Sequence, residues 1–315
     1  MTPNIRVAFA GAGNMAQEHA KVFQSIEDVE LVGVTSKTGK RAKDFADRFG
    51  IKDVCLSIDE LYTLTKPDLL VITVPELATK SVVSTALRHP WKLLIEKPVG
   101  YNFVEARQIS EIAKEKKDDI FVGFNRRYYS SALQILEGVS NFPTEKRYIY
   151  VQDQQNIQEA INLGQPEIVA DNYMYANSVH IIDLINFFGR GEVVEINNIL
   201  PWKGRQTDRV LSVIKFAAGD VAVYDGVWKG PGPWSCSVSI NSARWSMQPL
   251  EEANVQLDGE RKRRQLLIND DDRKFKPGLF RQNSAVIHQM KGGVTNVVTL
   301  AQSYETMSLI SKIYN

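Results

Sequence analysis

Three short stretches combine residue types that can do chemistry. The first, G-A-G-N-M-A, follows the strand-like run Ile5 to Ala10 and sets Gly11, Gly13 and Ala16 in the spacing G-x-G-x-x-A. Gly11 permits a tight turn, and Gly13 lets the backbone approach a pyrophosphate. Ala16 lets the next helix pack on the strand with its N-terminus toward the phosphates. A purely structural glycine turn is the competing reading; its place at a first strand-to-helix junction argues against that. The second stretch, V-T-S-K-T-G-K-R, ends the next strand, where an acid would accept from the ribose 2′-hydroxyl of NAD. No acid stands there. Ser36, Lys37, Lys40 and Arg41 suit the 2′-phosphate of NADP, although Lys40 and Arg41 also read as solvated first-turn helix residues. NADP is therefore expected over NAD. The third, L-L-I-E-K-P, brings Glu96 and Lys97 to the carboxyl edge of a strand, where a partly desolvated lysine can donate to a reacting oxygen. Arg126 and Arg127 follow the next strand, placed either to meet an anionic group of a ligand or to form a structural pair.

Such residues need a scaffold. Runs at Ile5 to Ala10, Val29 to Thr35, Asp53 to Cys55, Leu69 to Val74, Lys92 to Ile95 and Ile120 to Phe124 alternate with helical stretches. Their apolar centres predict a doubly wound α/β domain, a Rossmann-type parallel sheet with helices on both faces. Ser57 with Glu60, and Asn102 with Glu105, read as capping boxes, and Gly50 as a C-cap. Beyond residue 124 the runs lengthen and alternate: Arg147 to Val151, Val193 to Leu200, Val210 to Phe216, Val221 to Val227 and Ser235 to Asn241. The stretch from Val210 to Val227 reads as a hairpin turning at Ala218, Gly219 and Asp220, so a mainly antiparallel sheet is expected. Helices are expected at Ser130 to Leu136, Asn177 to Phe188, Leu279 to Met290 and about 298–313. Two domains follow, 1–124 and 125–315, with a substrate cleft expected where they meet.

The 315 residues, 43% hydrophobic and 24% charged with a net charge of +1, fit an ordinary globular protein and give no field for nucleic acid or an anionic membrane. The run E-R-K-R-R at 260–264 is flanked by Asp258, Glu260 and Asp270 to Asp272, which suits a solvated hairpin. Cys55 and Cys236 are the two cysteines, too few for a disulfide framework or a thiolate zinc site. No metal is expected. Residues 1–4 show no secretion signal, and a cytoplasmic location is expected. Near-neutrality conceals a local bias: Lys37, Lys40, Arg41, Lys97, Arg126 and Arg127 all fall at expected cofactor or cleft positions. Trp228 and Trp234 either stack on a sugar or base or fill a core.

In order along the chain, G-A-G-N-M-A, E-K-P, G-F-N-R-R-Y at 123–128 and H-I-I-D at 180–183 resemble the glucose-fructose oxidoreductase, inositol dehydrogenase and rhizopine-catabolism (Gfo/Idh/MocA) family. The resemblance implies hydride transfer between NAD(P) and a hydroxyl or keto carbon of a sugar or nucleotide-sugar. It also implies a C-terminal α/β domain with a large open sheet, whose exposed face carries a homodimer or homotetramer contact. Lys97 matches the family's catalytic lysine, His180 its general acid/base, and Asp183 an acid that contacts substrate in sugar-processing members. Arg126 and Arg127 join these as substrate-binding candidates. Asn14, Met15, Val74, Pro75 and Glu96 join the glycine loop, Ser36, Lys37, Arg41 and Lys97 as expected cofactor contacts.

Positions 180 and 183 share a helix face. Two positions depart from the family: Ala176 stands where inositol dehydrogenases carry an Asp, and Thr79 where many relatives carry a His. The missing carboxylate motivates a second reading, a non-catalytic dinucleotide-binding regulator, against which Lys97 and His180 argue. A third keeps the enzyme but gives it a dihydrodiol or tetrapyrrole substrate, on the strength of Tyr173 and Tyr175. His19, His89 and His288 read as structural.

Overall fold

The computed structural model describes residues 4–315; residues 1–3, part of the stretch read for a secretion signal, lie outside the described residues. The chain divides into two compact units. One runs to Asn125 and takes back Lys274–Glu305; the other comprises Arg126–Arg273 and Thr306–Asn315.

In the first unit, β1 (Ile5–Ala10), β2 (Val29–Thr35), β3 (Asp53–Cys55), β4 (Leu69–Ile72), β5 (Lys92–Glu96) and β6 (Ile120–Gly123) form a parallel sheet in the order β3-β2-β1-β4-β5-β6. Val7, Phe9, Leu70, Val71 and Leu94 are fully buried, as strands covered on both faces require. The order reverses between β1 and β4, and in such sheets ligands bind outside the carboxyl ends at that point. Strand β4 ends before Val74, with the Thr73 N–H donating to the Ala10 carbonyl at 2.9 Å. Ser57 accepts from the Glu60 N–H at 3.1 Å and Asn102 from the Glu105 N–H at 2.9 Å. Gly50 ends its helix at φ +67°.

The stretch 274–305 lies beyond the division expected at residue 124. Its helix Leu279–Met290 packs on the helix Asn14–Phe23, with Val286 and Ile287 in the same core as Ala16, Ala20 and Phe23. The Val122 N–H donates to the Val298 carbonyl at 2.8 Å, extending the sheet beyond β6.

The second unit holds β7 (Tyr148–Gln154), β8 (Val193–Leu200), β9 (Arg209–Phe216), β10 (Val221–Val227), β11 (Ser235–Ser239), β12 (Ala243–Met247), β13 (Ala253–Leu257) and β14 (Arg264–Gln265). Their order is β14-β13-β12-β11-β7-β10-β9-β8. All pairs are antiparallel except β7 with β10, which run parallel. The hairpin turns where expected, with Gly219 at φ +85°. Helix Val179–Phe188 packs against β7 and β11, and helix Ser130–Ser140 against β12 and β13. Along β7 the alternate residues Tyr148 and Tyr150 stay exposed while Ile149 and Val151 are buried. Among the described residues no helix is long and apolar enough to cross a membrane.

Candidate functional site

The turn after β1 is shaped to let the chain's own backbone approach a ligand closely. Gly11 sits at φ +110°, and a Cβ there would lie 2.7 Å from the Thr73 carbonyl oxygen, so only glycine fits. Gly13 precedes the helix Asn14–Phe23, and a Cβ at Gly13 would meet nothing within 4 Å. Ala16 is fully buried and closes the helix onto the sheet. The helix's first turn carries no acid, so the N–H groups around Asn14, Met15 and Ala16 keep their attraction for an anion. Beside it opens a cleft of about 500 Å³, lined by Gly13, Asn14, Gln17, Arg41 and Arg48 among others. Open space above Gly13, bare helix N–H groups and a flanking guanidinium fit a dinucleotide's phosphates.

Beyond β2, Ser36 is half-buried while Lys37 and Arg41 are exposed. Lys40 donates to Asp44 at 2.9 Å, and this hydrogen bond raises its pKa. Its role as a solvated helix pair, the alternative at the sequence level, is the one the geometry shows. Val74 is half-buried, and Pro75 caps the helix Glu76–Ala86.

Glu96, the last residue of β5, pairs with Gly123 of β6. A Cβ at Gly123 would lie 2.7 Å from Glu96 Oε1, so that glycine makes room for the carboxylate. The same oxygen lies 2.8 Å from Nε2 of His19, which is fully buried. Lys97 follows, half-buried. Sequence reasoning left His19 as structural. Its one local signal was its place one turn after Ala16, on the buried face of the cofactor helix.

In the second unit, His180 lies in the first turn of helix Val179–Phe188, which is preceded by a π-helical turn, Met174–Ser178, rather than running unbroken from Asn177. Wider turns of this kind recur at functional sites. Ala176 is buried within it. A buried carboxylate comes instead from β7. Asp153 accepts from Gln155 Nε2 at 2.6 Å and from the Tyr224 hydroxyl at 2.8 Å, and Gln155 in turn accepts from Asn177 of the π turn at 2.9 Å. Tyr224 and Trp228 both reach the Tyr314 hydroxyl, at 2.7 and 3.1 Å. Burial pushes the Asp153 carboxyl up and the Tyr224 hydroxyl well up from their ordinary values. Trp228 is thus a core residue.

Asp183 and Arg127, both expected to meet substrate, are brought together. The guanidinium donates to both carboxylate oxygens at 2.6 Å, and the Thr306 hydroxyl adds a bond of 2.8 Å. Asp183 is buried, so this pair is a structural element of the helix that carries His180. Arg126 differs: its guanidinium lies 4.4 Å from the centre of the Trp234 ring. The two line a cleft of about 390 Å³ with Pro233, Gln248, Pro249 and Glu251. A cation, a carboxylate and an indole wall together suit a ligand with hydroxyl groups and an apolar ring face. Among the described residues no group of three or more His, Cys, Asp or Glu is placed to hold a metal ion.

Comparison with known proteins bears on both units. Residues 5–124 match the model of an oxidoreductase family with an NAD-binding Rossmann fold. 4-Carboxy-2-hydroxymuconate-6-semialdehyde dehydrogenase of Sphingobium is 21% identical over 196 residues, 62% of each chain. Glucose-6-phosphate 3-dehydrogenase of Bacillus subtilis is 30% identical over 125 residues, 40% of this chain and 35% of its own. The chain therefore matches less than two thirds of the length of either relative. A levoglucosan dehydrogenase, solved with NADH and levoglucosan, shares the fold with a TM-score of 0.79 over 98% of this chain and 96% of its own, at 14% identity. Residues 5–124 are thus similar to the NAD-binding domain of the Gfo/Idh/MocA oxidoreductases.

Proposed function

We propose that the chain is an NAD(P)-dependent oxidoreductase acting on a hydroxyl or keto carbon of a sugar or nucleotide-sugar. The observation that carries this reading is the loop from Gly11 to Ala16, with a φ only glycine accepts, open space above Gly13 and an acid-free helix start. Glucose-6-phosphate and levoglucosan in the names of similar proteins support a sugar substrate.

The nicotinamide, when bound, supplies or accepts the hydride. Lys97 holds the substrate oxygen and stabilises the negative charge that develops on it. His180 takes the hydroxyl proton in the oxidative direction and returns it in the reductive one. Arg127 and Asp183 hold the helix on which His180 sits. Arg126 and Glu251, beside Trp234, engage hydroxyl groups of the non-reacting part of the substrate. Arg41, Ser36 and Lys37 favour NADP over NAD. Two or four copies associate through the open face of the second sheet, around Tyr148 and Tyr150. Both cysteines are buried thiols, which suits the cytoplasm.

Thermal-shift titration tests the cofactor assignment, since a ligand of the folded state raises Tm with its concentration relative to Kd. NADP is expected to stabilise more than NAD. Greater stabilisation by NAD contradicts the reading of Ser36, Lys37 and Arg41, and no stabilisation by either contradicts the dinucleotide site itself.

A further inference from the structure

Behind the E-K-P motif lies a chain of hydrogen-bonded side chains. Gln282 Nε2 donates to Asn283 Oδ1 at 3.3 Å. The Asn283 amide meets Nδ1 of His19 with both its nitrogen, at 3.0 Å, and its oxygen, at 3.2 Å. On the other side of the ring the Glu96 carboxylate can only accept, so Nε2 carries a proton and donates it to Glu96 Oε1 at 2.8 Å. All three amide and imidazole side chains are fully buried, so no water competes for these bonds. Glu96 has little freedom to leave, because its carboxylate fills the space that Gly123 keeps open. Asn283 stands 264 positions from His19 in sequence, on the helix Leu279–Met290 that the first unit takes back from the far end of the chain.

We propose that His19 is a positioning residue for the end of β5: backed by Asn283 and Gln282, it fixes the Glu96 carboxylate and with it the strand end that presents Lys97 to the nicotinamide half of the cofactor. The inference rests on the dinucleotide reading above and adds a residue outside the glycine loop and the E-K-P motif. It also explains why a histidine is placed on the buried face of the cofactor helix. An apolar residue would fill the volume but leave Glu96 without its donor.

The test separates position from mere stability. The chain has four histidines, so ¹⁵N-histidine NMR of the intact protein resolves each ring. His19 Nε2 is expected to carry a proton; a ring protonated on Nδ1 alone overturns the proposal. Binding then tests the consequence, at a temperature where every variant is folded. In His19→Leu, Kd for NADPH is expected to rise about tenfold, the scale of one lost hydrogen bond to a charged group. Kd for 2′-phospho-ADP-ribose, which lacks the nicotinamide, is expected to stay within about twofold. His19→Gln, whose amide can still donate, is expected to recover most of the loss. Equal NADPH affinity in wild type and His19→Leu overturns the proposal, as does an equal loss with both ligands. If His19→Leu does not fold, Asn283→Leu is read in the same way. A wild-type protein that binds neither NADPH nor NADH refutes the dinucleotide reading, whereas the tautomer still decides the His19–Glu96 contact.

Discussion

The two sheets of this molecule solve the problem of burial differently. The strands at the centre of the first, β1, β4 and β5, are apolar on both faces, and the ligand chemistry is left to backbone at the strand ends: a glycine turn and a helix N-terminus. The second sheet carries charge into its interior. Asp153 and Asp183 are buried beneath or within its helices, Asp220 is fully buried between Arg190 and the Arg147 N–H, and Asp225 is bound by Arg209 and Tyr150. In the first unit the comparable contact lies at the end of β5, where Glu96 meets His19. The second sheet, with Tyr148 and Tyr150 exposed on one face, holds its elements by directed polar contacts. The first unit is thus held mainly by packing and the second more by pairing.

Substitution should expose that contrast. Arg127→Leu leaves Asp183 charged and buried, and is expected to cost about 3–5 kcal/mol in urea denaturation. Replacing both residues by apolar ones should recover most of this, because a well-packed pair can match a buried ion pair. If the double variant is no better than the single, the pair is not what holds the helix. In the first unit, Leu94→Ala is expected to cost about 2–5 kcal/mol through lost burial and a residual cavity, with no such rescue available from a second site.

Acid should separate the units next. Burial works to raise Asp220 and Asp225, but the hydrogen bonds and charges of Arg190 and Arg147 on the one, and the hydrogen bonds of Arg209, Tyr150 and Gln152 with the charge of Arg209 on the other, together outweigh it and hold both below the ordinary carboxylate value. A carboxylate depressed in the folded state contributes stability that is complete above its unfolded pKa, about 3.9, and lost as pH falls through the folded value. The slope is at most about 1.4 kcal/mol per pH unit for each, and less for Asp225, whose partner Arg209 is half in water. In Trp91→Phe the remaining tryptophans, Trp202, Trp228, Trp234 and Trp245, all lie in the second unit and report on it alone. Their urea midpoint should fall between pH 5 and pH 3, and a flat midpoint over that range contradicts the role given to these pairs. Smallest in stability but informative is Gly13→Ala. With nothing near its Cβ, it should change Tm little yet weaken dinucleotide binding about tenfold, since the ligand occupies that space. An unchanged affinity removes the pyrophosphate from Gly13.

The same contrast explains what the sequence reveals. The six strands of the first sheet stand within two residues of their expected ends, because continuous apolar runs and local signals such as Ser57, Asn102 and Gly50 mark them. In the second unit the hairpin at Gly219 is equally legible. The parallel pairing of β7 with β10 is not, nor are β12 to β14, whose polar and very short runs carry little periodicity. The π turn before His180 and the carboxylate of Asp153 depend on contacts between residues far apart in sequence. So do the Arg127–Asp183 pair and the His19–Asn283 contact. Residue type marked Arg127 and Asp183 as ligand-binding candidates; only the fold shows that they satisfy each other.

In the proposed reaction Lys97 acts on a substrate oxygen while a dinucleotide exchanges a hydride. The direct measurement is the absorbance of reduced nicotinamide when wild type and Lys97→Met are each given NADP or NAD and a panel of sugars and nucleotide-sugars. Wild type is expected to reduce the cofactor with at least one of them, and the variant at a rate at least about a thousandfold lower, the loss of a group that stabilises charge in the transition state. A variant within tenfold of wild type, or a wild type that binds the dinucleotide and reduces it with none of these substrates, would contradict this reaction.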